Sequence, residues 1–284
     1  DALSDWCSNS TNATLTLGHI SDWWVSGVTD MSYLIYDADC ASTFNEDLNA
    51  WDVSQVTTFE GMFEAAEAFN QPLNGWDVSK ATDFYAMFFE AKAFNQPLNG
   101  WDVSKVTDME SLFECEFPSK GAFNQPLNAW DVGKVSTMRA MFRGATQFNQ
   151  PLNGWDVSQV TSFRETFRTT SFNQPLESWD VGSATDFRYM WWDDGDPDLN
   201  IPAGATTALS NCNKRAIEAN FYAQKGTTWT SDRNYNGDFS VAACAIPSPP
   251  PPPPSPPPSP SPPPPPPLPP PSPPPPGTSL WMLN

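Results

Sequence analysis

Apolar residues recur along this chain as one repeated block, not as a long helical or alternating pattern. The string Phe94-Asn95-Gln96-Pro97-Leu98-Asn99-Gly100-Trp101-Asp102-Val103-Ser104, followed by Lys105-Val106-Thr107-Asp108-Met109, returns almost unchanged. A Trp-Asp-Val triplet starts at Trp51, Trp76, Trp101, Trp130, Trp155 and Trp179, at successive separations of 25, 25, 29, 25 and 24 residues, with a degenerate copy at Trp23-Trp24-Val25. A period of about 25 residues belongs to solenoids, in which each unit covers the apolar face of the next. Within a unit, Val103, Val106, Met109, Leu112 and Phe113 are spaced almost helically, but the run is too short to hold a helix by itself. The pattern predicts a short strand near Val-Thr-Asp-Met, a turn or short helix through Met-Phe, and an extended return through Phe-Asn-Gln-Pro-Leu.

The invariant polar residues read as turn-makers. Pro97 fixes φ where no donor is needed, and Asn99-Gly100 predicts a second turn with positive φ. Asn70, Asn95, Asn124, Asn149 and Asn173 fall at equivalent positions, where stacked amides can satisfy backbone groups. The tryptophans predict an aromatic spine. Asp52, Asp77, Asp102, Asp131, Asp156 and Asp180 form a further row. Bare carboxylates about 5 Å apart repel by roughly 3 kcal/mol at an effective dielectric near 20. Each is tolerable if it accepts N–H groups of the following turn; a cation ladder is the alternative. The longer unit after Trp101 predicts a bulge at residues 116–120, and Cys115 takes the place of Ala65 in an earlier unit.

Two caps and a tail flank the repeats at residues 21–200. Residues 1–20 contain the alternating run Thr14-Leu15-Thr16-Leu17, which predicts an edge strand, and the lone His19, a structural or exposed residue. Residues 201–246 carry a short amphipathic helix over 209–225, expected to cover the last coil. Residues 247–276 are proline with five serines and one leucine as the only interruptions, which predicts a polyproline II arm on the order of 90 Å long. Residues 277–284 end the chain on the apolar cluster Leu280, Trp281, Met282 and Leu283, a plug suited to docking elsewhere.

Charge narrows the partners. A net charge of −19 would be repelled by phosphate backbones and argues against nucleic acid. The 13 Trp and 19 Phe argue for a folded body, and no stretch approaches the apolar length of a membrane span. The chain starts at Asp1, as expected of a mature product whose signal peptide has been removed. Sequons at Asn9 and Asn12 suit such a route. The five cysteines bracket the repeats, which suggests Cys7–Cys40 closing one end and Cys212–Cys244 the other, with Cys115 left over; five reduced core thiols are the alternative. Asp232, Asn234, Asn236 and Asp238 place Ca²⁺-ligand types at alternate positions around Gly237, but Ala243 stands where a bidentate carboxylate is needed, so an acidic turn without an ion competes. No nucleophile with a nearby His, no phosphate-binding loop and no His cluster appears, which points away from an enzyme.

The repeat resembles the BspA-type leucine-rich repeat of surface proteins, with six copies keeping Trp-Asp-Val and five keeping Phe-Asn-Gln-Pro-Leu over roughly residues 23–176. The serine-proline tail resembles hydroxyproline-rich wall glycoproteins of algae and plants. The resemblance implies a leucine-rich-repeat-like parallel β solenoid with short helices or 3-10 turns, disulfide-closed caps and a polyproline II arm. It also implies a secreted or cell-surface location and hydroxylation or O-glycosylation of the tail, for which Pro249, Pro250, Pro256, Pro262, Pro273, Ser255 and Ser259 are candidates. The functional expectation is an extracellular structural glycoprotein that self-associates into a fibre or wall layer. The alternative is a cell-surface adhesin or a carbohydrate- or protein-binding module displayed on a glycosylated stalk.

Overall fold

The computed structural model describes residues 2–116, 118–191, 220, 223 and 224. The chain divides into two units, Asp1–Cys244 and Ala245–Asn284, and every described residue lies in the first. In that unit, Asp30, Thr58, Asp83, Asp108, Thr137, Ser162 and Asp186 are joined in order by six parallel bridges, one between each pair of successive coils. The expected short strands are therefore reduced to single bridged residues. The backbone bonding explains why. Phe84, Ala86, Phe88 and Glu90 donate their N–H groups to Asp108, Glu110, Leu112 and Glu114 of the next coil, at 2.8–3.1 Å. The intervening Met87, Phe89 and Ala91 donate back to Phe84, Ala86 and Phe88 three residues earlier. Alternate amides thus bond along the stack and within the turn, so buried polar groups are satisfied without an extended strand.

This winding places left-handed residues at two recurrent positions, though the coil after Trp101 uses only the first. Gly61, Ala86, Ser111, Ala140, Glu165 and Tyr189, each ten residues after a repeat Trp, all have φ between 51° and 59°. Ala65, Glu90, Gly144 and Thr169, fourteen residues after it, have φ of 54° to 69°. The predicted positive φ at Asn99-Gly100 is not found. Instead Asn49, Asn99 and Asn153 reach across the stack, their Oδ1 accepting from Gly75, Ala129 and Ser178 at 2.8–2.9 Å. Ala129 and Ser178 stand where other units have Gly, in keeping with its ordinary φ, although at Gly75 a Cβ would come within 2.8 Å of the Asn49 carbonyl oxygen.

Two rows of phenylalanine, not the tryptophans alone, form the continuous aromatic stack. Phe63, Phe88, Phe113, Phe142 and Phe167 follow one another at 5.5–5.8 Å between ring centres. Phe69, Phe94, Phe123, Phe148 and Phe172 follow at 5.9–6.2 Å. Rings of the two rows meet within a coil, as in Phe113 against Phe123 at 3.8 Å, and the apolar interior they fill supplies the main drive for stacking.

The N-terminal cap is helical. Helix α1 (Ala2–Ser8) buries Leu3 and Trp6, and α2 (Ser10–Leu17) buries Ala13. The expected edge strand at Thr14–Leu17 is thus corrected to the end of α2. Asn9 starts that helix by accepting the Asn12 N–H at 3.0 Å, and the hydroxyls of Thr14 and Thr16 fold back on the Ser10 and Asn12 carbonyls. Alternating Thr and Leu read as a strand only if the hydroxyls are assumed to point to solvent. At the other end, Asn220, Ala223 and Gln224 are helical. Gln224 accepts from Val181 N–H at 2.7 Å and donates to Trp179 O at 2.9 Å, closing backbone groups of the last bridged coil. No helix among the described residues is long and apolar enough to cross a membrane.

Candidate functional site

Each row of repeated polar residues has an internal structural task. The six repeat tryptophans are only 1–4 % exposed, and each indole N–H donates at 2.8–3.1 Å to a carbonyl of the preceding turn, as Trp101 does to Leu73. Asn45, Asn70, Asn95, Asn124 and Asn149 each accept the backbone N–H of the asparagine one coil on, at 2.8–3.0 Å. The side chains of Gln96, Gln125, Gln150 and Gln174 donate to the same asparagines.

The aspartate row does what the capping reading expects. Asp52, Asp77, Asp102, Asp131, Asp156 and Asp180 accept from the N–H two residues on, at 2.9–3.1 Å. Hydrogen bonds from the following serine hold Asp77, Asp102 and Asp156 below the ordinary carboxylate range. No group of three or more potential metal ligands gathers among the described residues.

At the cap, Cys7 and Cys40 form a disulfide with Cα atoms 5.2 Å apart. Asn9 and Asn12 are both exposed on α2 and its N-cap. His19 is exposed, caps Ser21 through Nδ1 and lies edge-on to Trp6 at 4.9 Å. Cys115 is a free, buried thiol pushed up to about 12 by burial. Cys212, Cys244, the candidate Ca²⁺ ligands Asp232, Asn234, Asn236 and Asp238, the tail prolines and serines, and Leu280–Leu283 lie outside the described residues.

One feature of the described coils exceeds what stacking requires. Position by position, the residue nine after the repeat Trp reads Glu60, Tyr85, Glu110, Arg139, Arg164 and Arg188. The residue thirteen after it reads Glu64, Phe89, Glu114, Arg143 and Arg168. Five of the chain's seven arginines therefore fall on one face of three consecutive coils, on a strongly acidic protein. These charges are scattered along the linear chain, and only aligning the units on Trp brings them into one face.

The two halves meet at the contacts of Arg139 with Glu110 and of Arg143 with Glu114, the latter at 2.7 Å. In the basic half, buried Glu165 holds Arg164 at 2.9 Å, Arg168 at 3.1 Å and Arg143 at 3.4 Å. Burial would push its carboxyl up, but the surrounding arginines outweigh burial and hold it below the ordinary range. Arg188 grips Asp186 through two nitrogens at 2.7 and 2.9 Å. In the acidic half the balance reverses. Burial, then the charges of Asp37 and Glu60, raise Glu64, and burial followed by neighbouring carboxylates raises Asp108 despite its bond from the Glu110 amide. The face is thus electrostatically split along the stack.

Residues 3–120 and 116–203 match the family described as Mycoplasma protein of unknown function, DUF285. The chain belongs to this family. The two matches together span the cap and all the bridged coils, in keeping with a repeat of the BspA-like type. No curated protein and no solved structure matches the chain. Within this DUF285 chain, the rows that repeat without change support the stack internally, whereas the charged face is where the units differ.

Proposed function

We propose that this chain is an extracellular structural glycoprotein, in which a rigid leucine-rich-repeat-like solenoid body associates with others into a fibre or wall layer. The proline arm at 247–276 and the apolar plug at 277–284 serve as links between bodies. The observation that carries this reading is the inward burial of the tryptophan row. A sugar-binding repeat surface would display regularly spaced indoles for stacking. Here the six repeat indoles are buried and their donors are committed to the neighbouring turn, so the repeats act as a scaffold.

The Cys7–Cys40 bond supports an oxidising, extracellular setting, and exposed Asn9 and Asn12 are accessible for N-glycosylation there. Heterologous contacts that do not close on themselves propagate into filaments, which suits an arm ending in Trp281 and Met282. Electron microscopy of the secreted chain with and without residues 277–284 tests the reading. Filaments or sheets that vanish on deletion support it, and assembly unchanged by the deletion removes the plug from the mechanism. Intact mass before and after glycan release tests the glycoprotein part, because a native mass equal to the 31.3 kDa polypeptide would exclude it.

A further inference from the structure

We infer that the charge-split face is a lateral interface on which a second copy of this chain lies antiparallel, related by a two-fold axis at the level between Glu110 and Arg139. The inference rests on the assembly reading above and specifies a contact which that reading leaves open.

The grounds are self-complementarity row by row. A two-fold axis lying in the face and perpendicular to the stack keeps each row opposite itself and reverses its order. In the central row, Glu60 then meets the partner's Arg188, Tyr85 meets the partner's Arg164, and Glu110 meets the partner's Arg139. These are two ion pairs and one cation–π contact, each occurring twice. In the row thirteen after Trp, two of the three levels follow the relation, with Phe89 opposite the partner's Arg168 and Glu114 opposite the partner's Arg143, while Glu64 has no arginine counterpart. The bridged row obeys it too, since half-buried Asp83 and Asp108 fall opposite the partner's Ser162 and Thr137, carboxylate acceptors facing hydroxyl donors. Coils of both copies advance by the same rise, so pairs in register at one level remain near register at the others.

Stacking alone does not ask for this arrangement. Opposite charges on successive coils, as at Glu114 and Arg143, stabilise the stack, but gathering like charges within each half works against it. In the basic half Glu165 already offsets part of the charge by holding three arginines, but the acidic half carries carboxyls raised by burial and by one another. The basic half of a second copy relieves the repulsion that the acidic half carries.

Sedimentation velocity of the full-length chain at low and high salt tests the pairing, with Glu60→Arg, Arg188→Glu and the combined E60R/R188E variant. Each single reversal should weaken dimerisation by about tenfold or more at low salt, and the combined variant should recover it, because residues 60 and 188 face each other only in this register. Circular dichroism matching the unaltered chain verifies that each variant is folded. Dimerisation insensitive to the single reversals, or not recovered by the combination, overturns the pairing. If the chain still assembles and loses assembly on deletion of residues 277–284, the structural reading stands without it. A chain that stays monomeric at low salt and forms no filaments overturns both.

Discussion

The Glu114 carboxylate lies 2.7 Å from the Arg143 guanidinium of the following coil, at the level where the acidic half of the charged face gives way to the basic half. Glu114 is buried, and burial outweighs the Ser111 hydroxyl and Arg143 to raise its carboxyl above the ordinary range. Arg143→Met should therefore destabilise the fold by about 2 kcal/mol, because it removes the cation from a buried carboxylate. Glu114→Gln should cost less, since the amide keeps an acceptor without a charge to solvate. Denaturant midpoints of the two single variants and the double variant check this, with a favourable coupling between the two sites expected.

Stability should pass through a maximum on the acidic side of neutrality. Glu64, Asp108 and Glu114 have raised folded-state values, so the folded protein takes up their protons before the unfolded chain does, and lowering the pH from neutral stabilises it. Asp77, Asp102 and Asp156 are lowered from 3.8, so their contribution is complete above that value and is lost as pH falls through their folded-state values. Thermal unfolding followed between pH 2 and 8 should show a gentle rise and then a steep fall. A monotonic decline from pH 7 would contradict the assignment.

The asparagine ladder should be sensitive to truncation at any rung. Asn95 Oδ1 accepts from the Asn124 N–H at 2.9 Å and from the Gln125 amide at 3.1 Å. Asn95→Ala leaves both donors without it and should cost about 1–3 kcal/mol. Hydrogen exchange at the Asn124 amide should accelerate before the rest of the stack opens.

Thr169 has φ of 58°, a conformation that a β-branched residue adopts at a cost. Thr169→Gly should raise stability by up to about 1 kcal/mol, the relief of left-handed strain being partly offset by the greater freedom of Gly in the unfolded chain. Ala66→Gly, at a fully buried position outside the left-handed set, should destabilise. Paired chemical-denaturation curves distinguish the two signs.

Cys115 should be silent to alkylating reagents in the native protein. Its thiol is buried and pushed up to about 12 by burial, so little thiolate exists near neutral pH. Peptide mass mapping after a short native pulse of iodoacetamide should leave Cys115 unmodified, and the same pulse in denaturant should modify it.

Much of the repeat's logic is legible in the residues themselves. The Trp-Asp-Val period marks the units, the aspartate two residues before each Ser or Gly announces its turn, and the stacked asparagines announce their ladder, because these are short-range patterns repeated at a fixed interval. The charged face was equally present in the letters at Glu60, Glu110, Arg139, Arg164 and Arg188. Its meaning depends on those residues sharing one face, which contacts such as Arg143 with Glu165 establish.

What the tertiary structure alone decided is the backbone path. Thr14–Leu17 alternates like a strand, yet Asn9 and the threonine hydroxyls favour a helix locally, and only α1 beside it shows which alternative is used. Left-handed residues were expected at Asn-Gly and occur at Ala86, Ser111, Ala140 and Glu165, positions without a shared side-chain signature. Those residues turn their amides onto the next coil, as Ala86 does to Glu110 O at 2.9 Å. The period of the chain was therefore written in its side chains, whereas the winding within each period was set by bonds to a coil about 25 residues away, which no local propensity encodes.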